Sequence, residues 1–515
     1  MWSTTNPNLS MPFLGHSRPF VGLFEVSKSS LFFPLTKMKL VFAASFLLSA
    51  VVAEDTCTHG KLFVTDMETT NIHVFDVSKG NLDSLSPETT IDVGGKPGIN
   101  LQYTASGKEV AAIFRGTENL GYVDALVNFV DTGVSTEFHG DHYDIEYSAP
   151  TLVQNARIDC ARPIHFVRHD DKIAVFCDGS YTFSPQINST IWVVEEGKFG
   201  STTESAIVYN DTLQGSHHGV AIPVDDNHVL YSLASADRIN RTAAGEDDAL
   251  PDTFQVVDYQ GTVLHSIADE SDPNTHCSGF HGSSAVDDTF ALACDIEHGG
   301  ILIVEYEAPG MTYTSRALSY PDSFPEHRST TLEDHPMAKY IVGNFFGQDQ
   351  YHLMAFTDTD TTMTTDQILT LDSSQCAYAY ERGQAEVILV LMPNGMLHAF
   401  EFDGTWEEIA KLQVVPDMQE CSEVQLVPGV MQAFVLHKGT NTLYAVDMDH
   451  VHDGEMEVST SQLTFTPFDA VVSGVPLNVA CQGHDHGHQH TSAAAAHQAS
   501  FFLIKVMILI VAVFK

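Results

Sequence analysis

From Lys61 to Ala480 the chain is built of short β-branched and aromatic runs separated by Asp, Gly and Asn turns. Almost none of it carries the 3.6-residue apolar period of a helix, so the predicted elements are strands. The runs also repeat. HFVRHDDKIAVFC (165–177), HGVAIPVDDNHVLYSL (218–233), HGSSAVDDTFALAC (281–294) and HRSTTLEDHPMAKYIVG (327–343) each set a head residue before a strand, an acidic turn and an apolar strand. Third strands follow as TIWVVEEG, TFQVVDYQG, ILIVEYEAPG and YHLMAFTD. A unit of roughly 40–50 residues with four strands is a propeller blade.

The expected fold is all-β, a single propeller of eight blades; seven is the alternative, because the second unit, near Pro97–Gly140, is weakly patterned. The first unit begins at His59 with KLFVTD and NIHVFDVSKG, which lack a strand before them. One strand is left over at the other end, DAVVSGVPLNVA (469–480). It can complete the first blade and close the ring without an open edge. The double aspartates beginning at Asp170, Asp225 and Asp287 fit hairpin turns rather than acid–base chemistry.

The cysteines follow this register. Cys160–Cys177 and Cys277–Cys294 share one spacing, and a hairpin turning at the Asp-Asp pair would return both ends to the same edge, giving intrablade disulfides. Cys376 and Cys421 head adjacent blades, and Cys57–Cys481 would lock the closure. An even count in a secreted chain supports such a framework.

Flanking segments change the picture from a plain domain to a processed surface protein. MKLVFAASFLLSAVVA (38–53) has the form of a secretory signal within an upstream segment 1–53, with Met38 as the true start. The propeller is expected over 54–481, a His-rich and Ala-rich linker over 482–500, and a hydrophobic C-terminal anchor signal over 501–515. Small residues 492–496 before that tail suggest a GPI anchor, with a single-span anchor as the alternative. Sequons at Asn188, Asn210 and Asn240 suit a glycoprotein of the secretory pathway, at the cell surface or extracellular. With 67 Asp+Glu against 24 Lys+Arg, the net charge of −43 excludes a nucleic-acid partner held by phosphate contacts and favours cations. Contact with a membrane is expected only through the C-terminal anchor.

Residues heading the innermost strands of a propeller converge beside its axis. Here those heads are His165, His217-His218, His281 and His327, with Tyr380 and Gln425 in the last two blades. Converging imidazoles suit Zn²⁺ or another divalent transition metal. A polar channel mouth without metal is the alternative. His139, Asp141 and His142 in HGDH add donors in the connection to the third blade. His276 and Cys277 are weaker candidates, since a Cys277–Cys294 disulfide would occupy the thiol. The tract HDHGHQH, with His484, His486, His488 and His490, can bind metal without a fold. No Gly-x-Ser-x-Gly, P-loop, dinucleotide fingerprint or His-Glu-x-x-His occurs.

HGDH (139–142), RPIHFVRHDDKIAVFCDG (162–179), GSHHGVAIP (215–223), CSGFHG (277–282), HRSTTLEDHPMAKYIVGNF (327–345) and the HDHGH tract, in that order, resemble the AztD-type zinc metallochaperones. These are bacterial periplasmic propellers that bind zinc and pass it to the solute-binding protein of a zinc importer. The resemblance runs from the second blade to the eighth. It implies zinc binding at His139, His142, His165, His217, His218 and His281. The secretory leader, sequons, surface anchor, paired cysteines and trailing His tract depart from the bacterial pattern.

The function expected is therefore non-enzymatic: a cell-surface propeller that captures Zn²⁺ with face histidines and the His tract, for transfer to a zinc transporter or metal-binding acceptor protein, or for storage. Two alternatives stay open. One is a protein- or glycan-binding propeller whose histidines only line the channel; the other is a metal-dependent hydrolase using the same face.

Overall fold

The computed structural model describes residues 60–474 apart from 78–85, 105, 117–123, 139–142, 181–185, 202–203, 244–249, 268–278, 295–299, 308–311, 322 and 325–327. The expected leader, the HGDH motif, His276, Cys277, His327, the His tract and the terminal hydrophobic segment all lie outside the described residues.

The second strands explain why this sequence closes into a ring. Lys61–Asp66, Glu109–Phe114, Lys172–Cys177, Thr289–Cys294 and Gln432–His437 are buried along their whole length. A strand buried on both faces needs a neighbouring sheet on each side, and radial stacking supplies one. Eight antiparallel sheets accordingly follow one another along the chain. Among the described residues, eight apolar clusters lie between successive blades, including one that joins the eighth blade to the first. Phe434 belongs to that last cluster, packed with Leu62 and Phe75.

Closure is made by Pro467–Ser473, which pairs antiparallel with Lys61–Asp66 in the order 89–92, 71–76, 61–66, 467–473. The leftover strand of the sequence thus completes the first blade. Side chains reinforce the seam. The Thr65 hydroxyl accepts the Asp469 amide at 3.0 Å, and Asp469 Oδ2 accepts the Leu101 amide of the second blade at 2.7 Å.

First strands of neighbouring blades pack against one another around the axis. They include Ile99–Tyr103, Pro163–His169, Phe280–Val286, Leu332–Glu333 and Ala377–Tyr380. The axis is bridged. Tyr103 of the second blade is stacked between two guanidinium groups, Arg168 of the third blade at 3.7 Å and Arg382 of the seventh at 3.9 Å. Arg168 also donates to the Tyr103 hydroxyl.

The second blade departs from expectation. Its first three strands are Ile99–Tyr103, Glu109–Phe114 and Asp124–Asp131, but its outer strand is Ile158–Ala161. A separate hairpin, Val134–Phe138 with Tyr143–Tyr147, intervenes. Cys160 therefore belongs to the second blade and Cys177 to the third. The Cys160–Cys177 disulfide is a staple between blades and not within one. Cys376 and Cys421 are bonded across the seventh and eighth blades. Cys294 is also in a disulfide, and no described cysteine is free. Cys57, Cys277 and Cys481 lie outside the described residues. The disulfides suit an oxidising, extracytoplasmic environment. Asn188, Asn210 and Asn240 are all exposed.

The aspartate pairs occupy hairpin turns as expected, with Asp170 and Asp287 at positive φ. One buried acid has a larger effect on stability. Burial and the neighbouring Glu196 carboxylate push the Glu109 carboxyl up to about 8. The folded state thus holds a proton that the unfolded chain releases near its ordinary value of 4.5. Stability from this group is complete below that value and is lost as pH rises towards 8. Glu109→Gln should therefore match the wild type at about pH 4 and exceed it by roughly 2–4 kcal/mol at about pH 9, read by urea unfolding at both pH values.

Candidate metal centre

Three imidazoles meet where the third, fourth and fifth blades approach the axis. His165 stands in the first strand of its blade, and His281 follows Phe280 at the start of another. His218 lies just before Ala221–Pro223. Ring centroids are 4.7 Å apart for His165 and His218, 5.0 Å for His218 and His281, and 6.0 Å for His165 and His281.

Close approach of the blades depends on two glycines. A Cβ on Gly219, next to His218, would lie 2.4 Å from the Phe176 ring and 2.7 Å from Ser232 Oγ. A Cβ on Gly282, next to His281, would lie 2.8 Å from the Thr330 carbonyl oxygen. Real side chains do not tolerate such contacts, so the His-Gly pairs let the histidine-bearing strands come together.

Two of the rings are held from behind. His218 Nδ1–H donates to Asp178 Oδ2 at 3.0 Å. The main chain of Asp178 is itself fixed, because its carbonyl accepts Ser189 Oγ and Ser216 Oγ, each at 2.8 Å. Arg162, at φ 57°, brings its Nη2 to 3.8 Å from the same Asp178 oxygen. His281 Nδ1–H donates to the Thr330 carbonyl at 3.1 Å. Asn344 steadies that segment by accepting the Thr330 amide at 2.9 Å, and donates its own amide to the Tyr378 hydroxyl at 2.9 Å. A histidine whose Nδ1 carries the proton presents Nε2 as a lone-pair donor, the arrangement that second-layer carboxylates and carbonyls give to metal ligands.

His165 and His218 share a hydrogen bond between their Nε2 atoms at 2.9 Å. Since His218 Nδ1–H is committed to Asp178, its Nε2 accepts, and the network assigns the donated proton to His165 Nε2. Burial, then the charges of His218, His281 and Arg115, hold the His165 imidazole well below its ordinary range and keep it neutral. Nitrogens at 2.0–2.1 Å from a tetrahedral Zn²⁺ stand roughly 3.3 Å apart, so the pair has to part by about 0.4 Å to admit the ion. His165 has then to move its proton to Nδ1. Among the described residues, no group of three or more His, Cys, Asp or Glu side chains is gathered around a single metal position. The triad has the donor type and the tethering that borderline divalent cations favour.

The other sequence candidates divide. His217 is buried away from the triad: its Nδ1 lies 3.3 Å from Ser189 Oγ, its Nε2 lies 3.4 Å from the Ser232 carbonyl, and its ring packs edge-on against Phe176. Blade six supplies the Thr330 carbonyl near the site. Tyr380 donates to the Tyr340 carbonyl and Gln425 to the Ala470 carbonyl, so both hold neighbouring strands. His139, Asp141, His142, His276, Cys277, His327 and the four tract histidines are outside the described residues. Asp178 was not singled out from the sequence. Its signal was positional, as the residue after the second strand of a hairpin whose end returns beside the heads.

No protein-family model matches the chain. The chain is similar to the zinc chaperone AztD of Citrobacter koseri, with 28% identity over 449 residues that cover 86% of this chain and 93% of that protein. The crystal structure of Citrobacter koseri AztD superposes with a TM-score of 0.62 at 23% identity, covering 81% of this chain and 98% of that one. The structure of apo AztD from the same organism gives the same values. Over most of its length, therefore, this chain shares its fold, and more than a quarter of its aligned residues, with the zinc chaperone AztD.

Proposed function

We propose that this protein is a non-enzymatic, extracytoplasmic zinc carrier that holds Zn²⁺ at His165, His218 and His281 and passes it to an acceptor protein or transporter. The convergence of three imidazoles from three blades, two with Nδ1 tethered, carries the proposal. Its similarity to a zinc chaperone supports the same cargo. A three-nitrogen set leaves a fourth position, which water fills during carriage and an acceptor's ligand fills during transfer. HGDH and the tract His484–His490 are auxiliary donors in this scheme, gathering ions under the attraction of a chain with net charge −43. The leader 38–53 and tail 501–515 direct and anchor the molecule at the cell surface.

Equilibrium titration of the purified protein with Zn²⁺ tests the proposal; no saturable binding at micromolar metal would overturn it. Affinity should fall as pH drops below about 6.5, the unperturbed imidazole value, since protons compete for the ligand nitrogens. Asp178→Asn keeps the shape but weakens the hold on the His218 tautomer. It should cost 10–100-fold in zinc affinity, the usual cost of losing such a partner, with the melting temperature little changed.

A further inference from the structure

The rim of the histidine site carries a cation that zinc capture does not need. Arg115 directly follows the buried strand Glu109–Phe114 and is exposed. Its guanidinium donates to the carbonyl of Ile164, the residue before His165, at 3.4 Å. The charge of Arg115 is felt at His165.

Asp469 and Asp178 act on it through their charge, but neither is hydrogen-bonded to it among the described residues. Asp178 gives Oδ2 to His218, and among the described residues its buried Oδ1 has no hydrogen-bond partner, Arg115 included. Asp469 Oδ2 accepts the Leu101 amide and the Asn100 side chain, and its Oδ1 accepts the Ala470 amide. Among the described residues, Arg115 is thus a guanidinium held by one long hydrogen bond to a carbonyl, at the edge of the histidine cluster, in a chain with only 24 Lys+Arg. A fixed positive charge there opposes an arriving divalent ion. It favours an arriving anion, and guanidinium matches a carboxylate in shape and charge.

We propose that Arg115 admits a carboxylate-bearing ligand to the open side of the triad, so that zinc leaves towards an acceptor whose attacking group is a carboxylate. This rests on the zinc-carrier function above. In the exchange, the carboxylate oxygen takes the fourth position, displacing water. Metal–imidazole bonds then give way one at a time to the acceptor, with no change in oxidation state.

The test is the rate at which two chelators strip the zinc-loaded full chain: anionic nitrilotriacetate and neutral tris(2-pyridylmethyl)amine, followed by stopped flow. Zinc loading is measured first; failure to load would sink the carrier function itself, and this inference with it. For a protein that loads, Arg115→Gln should slow removal by nitrilotriacetate about tenfold, within the range of electrostatic steering, while removal by the neutral chelator stays within about twofold. Arg115→Lys should recover most of the lost rate, and added salt should erode the wild-type advantage. Equilibrium affinity of Arg115→Gln for zinc should rise slightly, which mere loosening of the site would not produce. Equal slowing of both chelators, or no slowing of either, would overturn the proposal.

Discussion

Replacing His218 by alanine should lower zinc affinity by about two to three decades and leave the propeller folded. Binding energies of roughly 10–16 kcal/mol for four-ligand sites give about 2.5–4 kcal/mol per ligand, and 1.4 kcal/mol is one decade. His218 is the sharpest position because it joins everything in the site. It accepts from His165 at 2.9 Å, donates to Asp178 at 3.0 Å, and lies 5.0 Å from the His281 ring. Its side chain keeps 22% exposure, so truncation leaves no sealed cavity in a core. His281→Ala should behave alike. His217→Ala is the contrast: it empties a buried packing position beside Phe176 and should reduce stability more than zinc affinity. Isothermal titration and thermal unfolding on the three variants separate these outcomes. Loss of affinity in His217→Ala alone would overturn the assignment.

Ending the chain at Thr466 should prevent folding altogether. Removal of Pro467–Ser473 exposes the hydrogen-bonding edge of Lys61–Asp66 and uncovers a face of the apolar cluster that contains Ala470 and Val472. A fully buried aliphatic or aromatic side chain contributes about 1.5–3 kcal/mol, so uncovering several exceeds the 5–15 kcal/mol typical of a whole domain. The ring also loses its closure, and unpaired strand edges associate. The expected product is aggregated, without a cooperative transition by circular dichroism. A soluble truncated chain with a native melting curve would show that the closing strand is dispensable.

The ring was legible because its buried second strands are continuous apolar runs and its hairpins carry acidic turns. Both signals are local. The second blade was misjudged because its outer strand, Ile158–Ala161, arrives only after an inserted hairpin. That detour moved Cys160 into a different blade from the one its spacing suggested. Within the site, the strand heads were readable as histidines, but His217 and His218 could not be told apart. Adjacent residues on extended chain point to opposite sides, and only the packing against Phe176 decides which one enters the core. Asp178 and the Thr330 carbonyl were hidden for a further reason. Each acts on a histidine 40 or 49 positions away, and neither residue type is unusual where it stands.

Consider last the Arg168–Tyr103–Arg382 bridge. The third and seventh blades stand opposite each other in a ring of eight, so side chains from both that meet on one tyrosine span the full width of the axis. The passage along the axis is crossed at that level by these three side chains. For the zinc carrier proposed above, that crossing favours release by the face of entry. Donor and acceptor then take turns at one entrance, as in a ping-pong exchange, and saturating the acceptor should slow loading as well as hasten release.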